Sequence, residues 1–185
     1  MIILMGAAGA GKSMQGHALA DEYGFAYLST GELFRVLITG RRRHEMLTGK
    51  LLSDEEVINV VDKVLELIDT SEEFILDGFP RTKKQVDWLL EQNSKGRIDL
   101  PVVINLEIEE GVVRERLVKR NRLDDTKEAI AQRHKEYAEV TRPVLTYMKE
   151  CGLVVHDINA AQTPAEVNED VVGALKLRQT GANQG

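Results

Sequence analysis

Gly6-Ala7-Ala8-Gly9-Ala10-Gly11-Lys12-Ser13 stands between an apolar run, Ile2-Ile3-Leu4-Met5, and a helix-like stretch, Met14 to Tyr23. The spacing G-x-x-x-x-G-K-S between a strand and a helix is that of a phosphate-binding P-loop. Its glycines let the backbone turn tightly and bring N–H groups against phosphate oxygens. The start of the next helix adds uncompensated donors and the positive end of its dipole. Lys12 supplies a mobile cation for β- and γ-phosphates, and Ser13 a hydroxyl for a phosphate or a magnesium shell. The alternative, a glycine-rich turn with a chance lysine, is disfavoured by the coincidence of strand, spacing and helix. The stretch reads as a nucleoside triphosphate site.

Outward from the loop, strands and helices alternate. Phe25 to Ser29 reads as a second strand, and Ser29-Thr30-Gly31-Glu32 opens a helix that Gly40 breaks. Ser53 with Glu56 three residues on forms a capping-box signal for a helix with apolar residues at helical spacing. Glu73 to Asp77 is the third strand, followed by a helix bearing Val86, Trp88, Leu89 and Leu90. Pro101 to Leu106 is apolar enough for a strand buried on both faces. Helices are expected over about 109–120 and 125–150 with a kink or break at Pro143, then a strand over Leu153 to Ile158. Thr163-Pro164 starts the last helix. Five such strands alternating with helices predict an α/β fold, a parallel sheet covered on both faces, with ligands at the carboxyl ends of the strands.

The 185 residues suit one substantial domain, and 43% hydrophobic with 29% charged residues is the balance of a soluble protein. No apolar run has membrane-spanning length and no signal-peptide pattern is present, so a cytoplasmic location is expected, with no membrane partner. The lone Cys151 excludes an internal disulfide and a cysteine-built zinc site. A net charge of −6 argues against a nucleic-acid partner. Basic residues gather at Arg41-Arg42-Arg43 and over Arg114 to Arg122, which suits a small, highly charged ligand; for the first cluster a solvated surface is an equal reading.

Four further stretches complete a pattern: Ser29-Thr30-Gly31-Glu32-Leu33-Phe34-Arg35; Asp77-Gly78-Phe79-Pro80-Arg81-Thr82 with Gln85; Arg116-Leu117-Val118-Lys119-Arg120; and Arg122-Leu123-Asp124-Asp125 with Arg133. In this order after a P-loop they resemble the adenylate kinase family, from Met1 to about Val172. The resemblance implies a P-loop kinase fold with a five-stranded parallel sheet. It implies magnesium-dependent transfer of a phosphoryl group between ATP and AMP, giving ADP, with Mg2+ as cofactor and no zinc. It implies a single domain over 1–178, with core segments 1–29, 73–119 and 123–178. An acceptor-nucleotide insertion is implied at about 30–68, a vestigial lid at about 120–122, and a disordered tail at 179–185.

The resemblance also implies roles. Gly9, Ala10, Gly11, Lys12, Ser13, Met14, Arg116, Arg120 and Ala160 would bind ATP, with Arg116 stacking on its adenine. Thr30, Gly31, Arg35, Leu52, Gly78, Arg81, Gln85, Arg122 and Arg133 would bind AMP: Arg35 and Arg81 at the phosphate, Thr30 and Gln85 at the adenine. Lys12, Arg81, Arg120, Arg122 and Arg133 would be catalytic. Asp77 would orient water on magnesium, with Ser13 a second candidate near the metal, and Asp124 and Asp125 would hold the donor-side cover. Taken singly, Arg116, Arg120 and Gln85 could be surface residues and the aspartates a helix cap; the joint spacing speaks for function.

Departures from the family pattern are Ala8 in place of a usual proline, Met14 in place of a usual threonine, and a short acceptor insertion. Only Asn121 separates Arg120 from Arg122, where relatives carry a lid. Rival readings are a kinase for CMP or UMP, against which Thr30 speaks, and a non-catalytic nucleotide-binding protein. A monomer is the default expectation, with an oligomer left open.

Overall fold

Five strands form the sheet: β1 (Ile2–Gly6), β2 (Ala26–Ser29), β3 (Phe74–Asp77), β4 (Val102–Glu107) and β5 (Val154–Asn159). They lie in the order β2-β3-β1-β4-β5, with every neighbouring pair parallel. The structure, a computed structural model, describes residues 1–39, 52–109, 111–113, 116–117 and 126–177. Helices α1 (Lys12–Tyr23), α2 (Thr30–Leu37), α3 (Asp54–Leu67) and α4 (Lys83–Ser94) belong to the first half. Helices α5 (Lys127–Glu136), α6 (Arg142–Glu150) and α7 (Pro164–Leu175) belong to the second, and residues 111–113 and 116–117 are also helical.

Side chains alternate across a strand with a period of two, and here the alternation builds two cores. Ile3, Met5, Leu76 and Val103 pack on one face against Val57, Val61 and Leu65 of α3, Val86 and Leu89 of α4, and Val144 and Met148 of α6. Ile2, Leu4, Ile75, Ile104 and Leu106 pack on the other against Leu19 of α1 and Val167 and Val171 of α7. The register sets Ile3 beside Leu76 and Val103, so same-face residues meet across three strands. The apolar runs read as strands therefore form a sheet buried on both sides. The strands sit within a residue of their expected positions; β2 starts at Ala26 rather than Phe25, and β5 at Val154 rather than Leu153.

Helix ends follow their local chemistry. Ser53 and Glu56 form the expected capping box at α3. Thr163 and Glu166 form another at α7, with Pro164 in its first turn. The break offered as one reading at Pro143 is absent: a π-helical turn, Tyr137–Thr141, runs without interruption from α5 into α6. Proline cannot donate to the carbonyl four residues back and collides with it. A wider turn relieves the crowding, and the Arg142 N–H reaches back five residues to the Tyr137 carbonyl. Arg41 to Arg43, Arg120 to Asp125 and the tail lie outside the described residues.

Candidate active site

The P-loop leaves the carboxyl end of β1, the central strand. Gly9 and Gly11 adopt φ of +90° and +104°, a left-handed backbone that favours glycine. A Cβ at Gly9 would also come within 2.9 Å of Leu117 Cγ. Helix α1 begins at Lys12 with no acidic residue in its first turn and no side-chain cap at Gly11, so its dipole and first N–H groups are offered to an anion. Lys12 Nζ donates to the carbonyls of Gly6 (2.8 Å) and Ala7 (2.9 Å), which holds the ammonium over the loop.

Beside the loop, β3 ends in Asp77. Its Oδ2 accepts from Ser13 Oγ at 3.1 Å and from Tyr27 OH at 2.8 Å, and its carbonyl accepts from Thr30 Oγ1 at 3.1 Å. Burial, and after it the charge of Asp77, pushes the Tyr27 phenol up, so it stays a donor. Tyr27 has its place because α1 carries glycine at position 16: a Cβ there would lie 2.2 Å from the ring. Ser13, Tyr27, Thr30 and Asp77 thus come from α1, β2, α2 and β3 to one point.

The other side of the site is built on α2 and the turn after β3. Gly78 has φ +82°, and a Cβ there would meet Thr30 Oγ1 at 2.8 Å and Arg81 Nη2 at 2.9 Å. Arg81 Nε donates to the Gly78 carbonyl at 2.8 Å, which fixes the guanidinium plane. Burial draws the Arg81 pKa down; Asp77 opposes this, while Arg133 and Arg35 add to it. Three guanidiniums close enough to repel one another favour an incoming anion. Gln85 is not the surface residue it could have been. It is 2% exposed, its Oε1 accepting from Arg81 N–H (2.7 Å) and its Nε2 donating to Asp54 Oδ1 (2.8 Å). A Cβ at Gly31 would meet nothing closer than 3.7 Å, so packing within the protein does not demand glycine there.

On the side of the loop, Arg116 is likewise no solvated bystander. Its Nη1 donates to the Ala160 carbonyl at 2.9 Å and its Nη2 to that of Gln162 at 3.4 Å, tying its helix to the loop after β5.

One cavity of about 740 Å³ joins the two sides. Its wall includes Gly9 to Met14, Arg116 and Ala160, then Asp77, and then Thr30, Gly31, Arg35, Leu52, Gly78, Arg81, Gln85 and Arg133. Every site residue expected from sequence that the structure describes lies there. Arg120 and Arg122 are outside the described residues. The cavity also includes Glu136 from the end of α5 and Tyr137 and Thr141 from the π-turn, which the sequence reading did not single out. Nor did it assign Tyr27 or Asp54 to the site. Each acts on a residue far along the chain, and no local spacing marks it.

The sequence pattern of the adenylate kinase family matches residues 4–153. A protein named adenylate kinase from Prochlorococcus marinus is 37% identical over 182 residues, covering 94% of this chain and 97% of the relative. One of the same name from Corynebacterium urealyticum is 36% identical over 180 residues, covering 94% and 98%. A third, from Desulfitobacterium hafniense, is 33% identical over 211 aligned positions, covering 94% and 97%. That alignment is longer than this chain, so the third relative carries residues without a counterpart here. With the P-loop, the arginine cluster and the Asp77–Arg81 turn on one cavity wall and relatives matched over almost their whole length, the chain belongs to the adenylate kinase family of phosphotransferases.

Proposed function

We propose that the protein catalyses reversible transfer of the γ-phosphoryl group of ATP to AMP, giving two ADP, by direct in-line displacement. The observation that carries this is the single cavity, with a triphosphate loop at one end and an arginine-lined acceptor pocket at the other. An oxygen of the acceptor phosphate forms the new bond to γ-phosphorus while the bond to the β–γ bridging oxygen breaks, and that electron pair leaves on ADP. No protein nucleophile is needed, and catalysis rests on positioning and charge stabilisation. The loop N–H groups and Lys12 hold the donor phosphates. Arg35 and Arg81 hold the acceptor phosphate through planar forks that match its oxygens. Arg133, with Arg120 and Arg122, neutralises the charge that spreads over the transferred group.

The residues present fit a magnesium ion carried by the nucleotide. Such an ion keeps several waters and needs only one or two protein groups. The Ser13 hydroxyl and the Asp77 carboxylate, 3.1 Å apart beside the loop, supply them. Bound there, magnesium would screen the phosphate charges. Among the described residues no cluster of three His, Cys, Asp or Glu is placed to hold a metal by itself.

Because Thr30 spends its proton on the Asp77 carbonyl, its oxygen can only accept from a ligand, as from the amine of adenine. Rates with AMP, CMP, UMP and dTMP, each with ATP and magnesium, test the assignment. The highest kcat/KM is expected with AMP. Faster phosphorylation of CMP or UMP would overturn the substrate, and inertness with all four would overturn the activity.

A further inference from the structure

The Gln85 carboxamide is pinned at both ends. The Arg81 backbone N–H can only donate, and the Asp54 carboxylate can only accept. The 2.7 Å contact to Arg81 N therefore belongs to Oε1, and the 2.8 Å contact to Asp54 belongs to Nε2. The orientation follows from the partners and not from a choice between two ends of similar shape. One oxygen of Asp54 serves twice, since Oδ1 also accepts from Thr82 Oγ1 at 2.7 Å. Thr82 in turn caps α4, accepting from the Gln85 N–H at 3.3 Å. Asp54 opens α3, and its neighbour Glu55 pairs with Lys84, so both residues join α3 to the start of α4. After these bonds the amide keeps one Nε2 hydrogen and one Oε1 lone pair, at a residue that lines the cavity.

We propose that Asp54 is a specificity-determining positioning residue for the acceptor base: through Oδ1 it holds the Gln85 carboxamide in one orientation, so that the remaining donor and acceptor meet the base in a fixed order. That order matches a ring nitrogen without hydrogen next to an exocyclic amine, the edge that adenine offers. It opposes a ring N–H next to a carbonyl, the edge of hypoxanthine. To accept the second edge the amide must turn over, setting its NH2 against the Arg81 N–H and its oxygen against the Asp54 carboxylate. Both contacts are repulsive and lie in a partly buried place, where an unpaired polar group is costly. Sites built this way reject a mismatched base far better than shape alone does. The inference rests on the assignment of AMP as acceptor and deepens it.

The test compares wild type with Asp54→Ala and Asp54→Asn, using AMP and IMP as acceptors. In Asp54→Ala the AMP:IMP ratio of kcat/KM is expected to fall about tenfold or more, the scale set by losing one hydrogen bond to a charged group. The loss should appear as a higher KM for AMP, with the KM for ATP unmoved. Asp54→Asn keeps an oxygen where both bonds meet, and recovers most of the ratio. An unchanged ratio in Asp54→Ala overturns the proposal, and so does an equal loss for ATP and AMP, which marks a merely structural role. Should wild type fail to phosphorylate AMP, the activity reading fails separately. The affinities of AMP and IMP, measured by calorimetry on the same proteins, then decide the inference. Should Asp54→Ala not fold, the Gln85 side-chain amide resonances of wild type serve instead: they should shift with AMP and not with IMP, and no shift with AMP overturns the proposal.

Discussion

Arg81 joins the parts of the acceptor pocket. Its backbone N–H engages Gln85, its Nε holds the Gly78 carbonyl, and its charge meets those of Asp77, Arg133 and Arg35. Arg81→Lys keeps the charge but loses both the Nε bond and the planar fork. Turnover should fall about a hundredfold or more, the scale of removing one preorganised donor or an arginine finger. Circular dichroism and melting should stay near wild type; an unchanged rate in a folded variant would remove the residue from the mechanism. Tyr27→Phe keeps the ring and deletes the 2.8 Å bond to Asp77. About 1 kcal/mol of stability should go with it. The magnesium concentration for half-maximal rate should rise, since one of the two hydroxyls that orient the carboxylate is then gone. An unmoved magnesium titration would separate Tyr27 from that task. These residues also mark what was legible in the chain. Lys12, Thr30, Arg35 and Arg81 stand in short contiguous motifs whose chemistry is local. Tyr27 and Asp54 act on partners 50 and 31 positions away, and only the folded chain brings them together.

At the scale of elements, the strands were legible because each is a short apolar run that a doubly covered sheet requires, and α2, α3 and α7 because a capping residue precedes each of them. Two features were not. Gly16, inside α1, looks like a weak helix residue, since glycine costs about 1 kcal/mol against alanine there. Its reason lies on β2: the Tyr27 ring occupies the space a Cβ would fill. Gly16→Ala should therefore destabilise the protein despite its better propensity, because overpacking typically costs about 1–3 kcal/mol. Urea unfolding checks this, and a more stable variant would mean that the ring yields freely. The π-turn is the second feature. A regular helix advances about 100° per residue. A π-turn, closing its bonds one residue later, advances roughly 80°. Over Tyr137–Thr141 the difference brings Thr141 back onto the face that carries Arg133, and both line the cavity. A proline in the sequence announces a disturbance at that point; how the chain absorbs it depends on what α6 packs against.

At the scale of the whole molecule, two cores on the two faces of the sheet hold the strand ends at one edge. The loops that leave that edge, and the helices they lead into, supply most of the described groups in the cavity. The address of the site could be read from the strand–helix alternation, but the joining of the P-loop and the Asp77–Arg81 turn into one cavity could not. The arginines at positions 120 and 122 have a single residue between them, and we propose that this leaves too little chain for a hinged cover. Lids exclude water and so strengthen electrostatics inside a site. With so short a cover, water should compete with AMP as acceptor, and ATP alone should release inorganic phosphate at a rate above the uncatalysed one. Phosphate release without AMP measures this directly. A monomer with no detectable release would mean that another segment shields the site, and an oligomer that a neighbouring subunit does so. The most direct test of the central claim is phosphorus NMR of the purified protein with equal ATP and AMP, with and without magnesium. The account predicts that ADP grows at the expense of both nucleotides only when magnesium is present, two ADP for each ATP lost, and that the same mixture is reached starting from ADP. Loss of ATP to ADP and free phosphate with AMP unconsumed would contradict it.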